Sequence, residues 1–141
     1  MILGFKLKHP ATGAPLKFVQ RILSNIKIHT LRTDERWKKG VSIQMAIGVR
    51  TKHYKQFNHT APHLQTCTGK QKVEILYIDR DTEIYPRVWI DGKPYRYYLG
   101  ADKAVLDALA VNDGFDDFKD FCAWFNTDWT GYIIHWTDFR Y

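Results

Sequence analysis

The sequence predicts a single α+β domain built on a curled sheet or barrel, with helices flanking it. Three observations lead there. Runs rich in β-branched and aromatic residues recur at 2–8, 41–50, 66–79, 83–90, 93–99 and 131–136. Between them, only short stretches repeat apolar residues at helical spacing. The 141 residues contain no internal repeat, low-complexity tract or linker, which suits one domain with its own core.

The first strand is expected over residues 2–8, stopped by the turn-forming His9-Pro10-Ala11-Thr12-Gly13-Ala14-Pro15. From Leu16 to Ser24, the residues Leu16, Val19, Ile22 and Leu23 fall on one helical face, with Lys17, Gln20 and Arg21 opposite. This helix would cover one end of the sheet and deliver Lys27. Val41 to Arg50 reads as a buried strand with a possible bulge at Gly48. A polar loop spans Thr51 to Gln65. Thr66 to Asp79 is a strand pair or one long strand bent at Gly69-Lys70. Glu83 to Ile90 and Lys93 to Leu99 form the clearest hairpin, turned at Asp91-Gly92. Pro86 and Pro94 mark both arms as edge or peripheral strands. Asp102 to Val111 is helical and Asn112-Asp113-Gly114 stops it. Asp116 or its neighbour caps a second helix whose apolar face is Phe118, Phe121, Cys122 and Phe125. Gly131 to Trp136 closes the sheet.

Composition narrows the partners. Lys and Arg total 21 against 15 Asp and Glu, a formal charge of +6 and a pI near 9.3. Such a balance leans towards nucleic acid or phosphate, although solubility alone also accounts for it. No apolar run approaches the roughly 20 residues of a membrane span, and Met1 to Phe5 is too short for a signal peptide. A cytoplasmic protein with no membrane partner is expected. Cys67 and Cys122 then stay reduced, and neither sits in a catalytic cysteine motif. Nothing in the sequence asks for a cofactor.

The stretch with most chemistry is Lys27-Ile28-His29-Thr30-Leu31-Arg32. In an extended chain Thr30 and Arg32 share a face, and the flexible stem of Lys27 can curl to the same side. Cations beside a hydroxyl suit an anion, a polar nucleobase or an activated nucleophile. They also suit a solvated edge strand.

Lys27-x-x-Thr30-x-Arg32 after a helix, then Arg36-x-x-x-Gly40 before a strand, resembles the ASCH domain family of PUA-like β-barrels. Asp113-Gly114-Phe115 resembles the acidic residue, Gly and Phe that open a helix in many members. The resemblance covers roughly residues 2 to 138 and implies an ASCH-type barrel with flanking helices. Some small ASCH proteins are amidohydrolases that remove the acetyl group of N4-acetylcytidine with a Lys, a Thr and a carboxylate. By motif these roles fall on Lys27, Thr30 and Asp113. The family carboxylate is a glutamate, so Asp113 is one methylene shorter.

Lysine can serve as base to a hydroxyl only when burial or nearby cations lower its pKa. Arg32 would push Lys27 that way, and Asp113 would orient it. The function expected first needs no catalysis, and hydrolysis of an N-acylated nucleoside is its alternative: RNA or a modified nucleoside is bound by Lys27, His29, Arg32 and Arg36, with Trp37 as a stacking platform and Lys38 and Lys39 nearby. A third is a protein-interaction module using Tyr95, Arg96, Tyr97 and Tyr98 on the hairpin. His59-x-x-x-His63-x-x-x-Cys67, with His53, has zinc-like spacing, but Pro62 breaks any helix there, so solvated loop residues and no metal are expected. His135 reads as a core histidine.

Overall fold

A computed structural model describes residues 1–80, 83–97 and 103–141. Among the described residues, eight strands and three α-helices make an α+β fold. Strand β1 (Ile2–Phe5) is followed by helix α1 (Phe18–Leu23), β2 (His29–Arg32), β3 (Gln44–Ile47) and β4 (Lys55–Gln56). Then come β5 (Gly69–Arg80), β6 (Glu83–Ile90), β7 (Lys93–Tyr97), α2 (Lys103–Asn112), α3 (Phe118–Trp124) and β8 (Trp129–His135).

The strands form two sheets, ordered β1-β3-β4 and β2-β8-β5-β6-β7. β1 runs parallel to β3, and every pair in the larger sheet is antiparallel. Among the described residues no ladder joins β1 to β2, so the expected barrel does not close there. What links the two strands is a side chain: Arg32 Nη2 donates to the Gly4 carbonyl, a single contact that needs no backbone ladder. A single bridge between Ser42 and Thr66 links the approaches to β3 and β5.

Several boundaries differ from the sequence reading, each for a local cause. The 41–50 strand is confined to Gln44–Ile47, because Gly48 takes a φ of 63° in a turn closed by Thr51 N–H on its carbonyl at 3.0 Å. The 66–79 segment is one strand starting at Gly69. Asp91-Gly92 is the hairpin turn with φ of 51° and 76°, the positive pair that a two-residue turn requires. β7 is an edge, but β6 lies inside the sheet; Pro86 pairs with Tyr77 beyond the last paired position of β7. Tyr98, Leu99 and Asp102, part of the predicted hairpin and helix, lie outside the described residues.

Helix α1 buries Phe18 and Ile22, while Leu23, expected inside, is 49% exposed. α3 is capped by Asp117, whose carboxylate accepts from Asp120 N–H at 2.8 Å. Its Phe118 and Phe121 stack at 5.5 Å, and Phe115 meets Phe121 edge-on at 5.6 Å. These rings form a rigid apolar floor under the ends of α1 and α2.

Asn58, in the polar loop of the sequence reading, is fully buried. Its Oδ1 accepts from Met45 N–H and Gln56 Nε2 at 3.0 Å each, and its Nδ2 donates to Ile43 and Leu64 carbonyls at 3.0 and 2.8 Å. One amide thus serves four partners on three segments. Asn58→Ala is expected to lower stability by about 2 kcal/mol, read from the urea midpoint, because those buried groups lose their partner together.

Candidate functional site

Two helix ends build the site, and both end in the same motif. After α1, Asn25 adopts a φ of 61°; Asn25 N–H reaches the Ile22 carbonyl at 3.0 Å and Ile26 N–H the Arg21 carbonyl at 2.8 Å. After α2, Gly114 adopts a φ of 95°; Gly114 N–H reaches Val111 O and Phe115 N–H reaches Ala110 O, both at 2.9 Å. These are paired Schellman stops. The first reverses the chain so that Lys27 turns inward ahead of β2. The second presents Asp113. Ile28 N–H ties the two ends by donating to Asn112 O at 2.9 Å.

Lys27 is 1% exposed. Its Nζ donates to the His29 carbonyl at 2.9 Å, to the Asp113 carbonyl, and to Asp113 Oδ1 at 3.2 Å. The Phe18 and Phe5 rings lie 4.8 and 5.8 Å from the ammonium. Burial lowers its pKa to about 8; Asp113 opposes that shift, and Arg32 and Arg21 assist it. Asp113 reaches Lys27 because its carboxylate starts from a helix end folded directly against it. The Asp113-Gly114 pair is therefore both the helix stop and part of the site.

Thr30 and Arg32 do share a face of β2: Arg32 Nη1 donates to Thr30 Oγ1 at 2.9 Å and to Leu31 O at 2.7 Å. The three acceptors of this guanidinium are neutral oxygens. Lys27, Thr30, Arg32 and Asp113 line one cavity of about 250 Å³, walled by Phe5, Phe18, Phe115 and Trp124. Two cations face one carboxylate, so the cavity keeps a surplus positive charge.

His29 does not line this cavity. Its ring is fully buried, with Nε2 2.6 Å from the Tyr141 hydroxyl and Nδ1 3.4 Å from Asp113 Oδ1. Burial lowers its pKa, so it is a neutral ring. Arg36 is exposed on the turn after β2, held in a fork by Asp34 at 2.7 to 3.1 Å, and lies apart from the cavity. Trp37 is 2% exposed in the core and has no open face for a base. Lys38 and Lys39 are exposed on the same turn. The aromatic ring that does border the cavity is Trp124, half-buried, with Lys6 Nζ 6.0 Å above it. Sequence reasoning missed Trp124 because it falls off the apolar face of α3. It also missed Arg21, which ties α1 to Gly114 O at 2.6 Å and to Asp116.

No family model, curated protein or solved structure matches this chain.

Among the described residues no cluster of three His, Cys, Asp or Glu could hold a metal ion, and Pro62–Leu64 is a single 3₁₀ turn that keeps His59, His63 and Cys67 off a common helix face. Cys67 and Cys122 are free thiols, and burial raises the pKa of Cys122 to about 11. His135 is buried beside Gln71, its Nε2 3.1 Å from Oε1. Tyr95, from the hairpin, packs its ring edge-on against Tyr141 at 5.3 Å. Among the described residues no helix is long and apolar enough to cross a membrane. What the cavity offers is a hydroxyl, an amine of lowered basicity, a guanidinium whose hydrogen bonds go to neutral oxygens, and aromatic walls.

Proposed function

We propose that this cavity binds a single modified nucleoside and hydrolyses its N-acyl amide, as in the N4-acetylcytidine amidohydrolases that the sequence resembles. The observation that carries the reading is the buried Lys27, with a pKa near 8, in the same small cavity as the Thr30 hydroxyl. A lysine so depressed is a usable base at neutral pH. A cavity of about 250 Å³ is smaller than a typical drug-sized site, which favours one base over an extended ligand.

In this reading neutral Lys27 takes the Thr30 proton as Oγ1 attacks the acyl carbon. The oxyanion that forms is held by Arg32, whose hydrogen bonds in the unliganded cavity go to neutral oxygens. Collapse breaks the C–N bond, and the Lys27 ammonium returns its proton to the leaving amine. Water then cleaves the Thr30 ester and releases the carboxylate. Asp113 orients Lys27, and Trp124 and Phe18 flank the pyrimidine. The finer fold assignment, a PUA-like barrel of ASCH type, belongs to this proposal. Its support is the strand–helix–Lys-x-x-Thr-x-Arg order and the meeting of that motif with Asp113-Gly114-Phe115.

The test is release of cytidine from N4-acetylcytidine, followed by chromatography. Thr30→Ala, shown folded by circular dichroism, is expected to lose at least about a hundredfold in kcat/KM. At pH 7 about one-tenth of Lys27 is free base, so kcat/KM is expected to rise about tenfold per pH unit below 8 and level above it. A rate that is flat from pH 6 to 9, or unchanged in Thr30→Ala, excludes this chemistry.

Binding of RNA without turnover is the second reading. It is favoured by a trough of about 620 Å³ that shares Gly4, Phe5 and Lys6 with the cavity and carries Lys8 and Val49. Affinity that falls steeply with salt and weakens in Arg32→Ala would support it.

A further inference from the structure

We propose that Tyr141 and His29 are positioning residues that set how readily Lys27 gives up its proton, acting through Asp113. For its catalytic meaning this inference rests on the amidohydrolase reading.

The residues form one chain of polar contacts behind the cavity. Asn112 Nδ2 lies 3.1 Å from the Tyr141 hydroxyl, and that hydroxyl lies 2.6 Å from His29 Nε2. His29 Nδ1 makes no hydrogen bond in this geometry but lies 3.4 Å from Asp113 Oδ1, the same oxygen that accepts from Lys27 Nζ, so the two act on each other through charge and dipole. Chemistry fixes the direction of each link. An ionised carboxylate only accepts, so Nδ1 of the neutral imidazole carries the proton and Nε2 is the acceptor. The Tyr141 hydroxyl must then donate to Nε2 and accept from Asn112. Burial keeps that hydroxyl protonated, by raising its pKa, and keeps His29 neutral. Every link points towards Asp113.

Tyr141 is held for this task. Its N–H donates to Gln71 Oε1 at 3.0 Å, its carbonyl accepts from Gln71 Nε2 at 3.2 Å, and its ring meets His29 edge-on at 5.4 Å. The consequence has a sign. An Nδ1–H dipole held 3.4 Å from Asp113 Oδ1 offsets part of the carboxylate's negative charge, so the Lys27 amine deprotonates more easily. Removing that dipole strengthens the hold of Asp113 on the Lys27 proton. The other groups facing Lys27 stay in place: Arg32 from β2 and Arg21 from α1, both cations that oppose protonation. His29 is faced by Asp113, Lys27, Tyr141 and, from β8, His135, whose pKa burial lowers to about 3.

The experiment is an NMR titration of Lys27 Nζ in protein carrying ¹⁵N-lysine, with the signal assigned by its loss in Lys27→Met. Wild type, Tyr141→Phe and His29→Phe are compared, and kcat/KM against pH is recorded for each. The midpoint is expected to rise by about 0.5 to 1 unit in both variants. For Tyr141→Phe this costs about three- to tenfold in rate at pH 7, recovered at high pH. A purely structural role would lower the plateau and leave the midpoint in place; that result, or a downward shift, overturns the inference. Tyr141→Phe removes one oxygen and decides alone if His29→Phe does not fold. The titration needs no substrate, so a shifted midpoint in a protein that hydrolyses no acylated nucleoside sustains the relay and sinks only the reaction.

Discussion

Gly114→Ala is expected to lower stability by about 3 kcal/mol and to reduce any Lys27-dependent activity by at least about a hundredfold. Two effects combine. At a φ of 95° an L-residue is strained by roughly 1 to 2 kcal/mol. The added Cβ would also sit 2.6 Å from Lys27 Cδ and 2.8 Å from the Phe18 ring. Lys27 and Phe18 are both buried against the core, so neither can yield without opening the cavity. Gly40→Ala is the control. Its φ is 90°, yet nothing lies within 4 Å of the added methyl. It should cost only the backbone term, about 1 kcal/mol, and leave the cavity untouched. Urea denaturation of the two variants separates strain from collision, and equal losses would show that Gly114 is a helix stop and nothing more.

That glycine also shows how far the sequence was legible. Asn112-Asp113-Gly114 could be read as a helix end, because a left-handed stop has a chemical signature. That the same stop lies against Lys27, 86 positions earlier, could not: the meeting depends on how two helix ends pack. The shared face of Thr30 and Arg32 followed from strand periodicity, which is local, and it is present. Trp37 misled for the converse reason. Flanking by Arg36, Lys38 and Lys39 made it look like an exposed ring, but a turn of solvated cations can cover a tryptophan that points inward. Asn58 and Tyr141 were invisible as structural residues. A buried polar side chain has the same letter as a solvated one, and only its distant partners distinguish them. The barrel expectation assumed that strands close by backbone pairing, and at the β1–β2 gap a guanidinium does the joining instead.

Lys27→Met is expected to abolish turnover and to lower stability at pH 7 by about 3 kcal/mol, because it leaves the buried Asp113 carboxylate without its cation. The double variant Lys27→Met/Asp113→Asn removes both charges. It should regain stability to within about 1 kcal/mol of wild type, since a buried ion pair can be replaced by neutral groups at little net cost. It should regain no activity. The pH dependence supplies an independent check. The Lys27 pKa is lowered from 10.5 to about 8 on folding, so between those values the unfolded chain binds more protons than the folded one. Stability from this site therefore increases as pH rises from 8 to 10.5, and the burial penalty is fully present below 8. Relative to the double variant, wild type should gain stability over that window. A difference that stays flat to pH 10.5 would mean that Lys27 remains ionised in the folded protein and cannot act as a base.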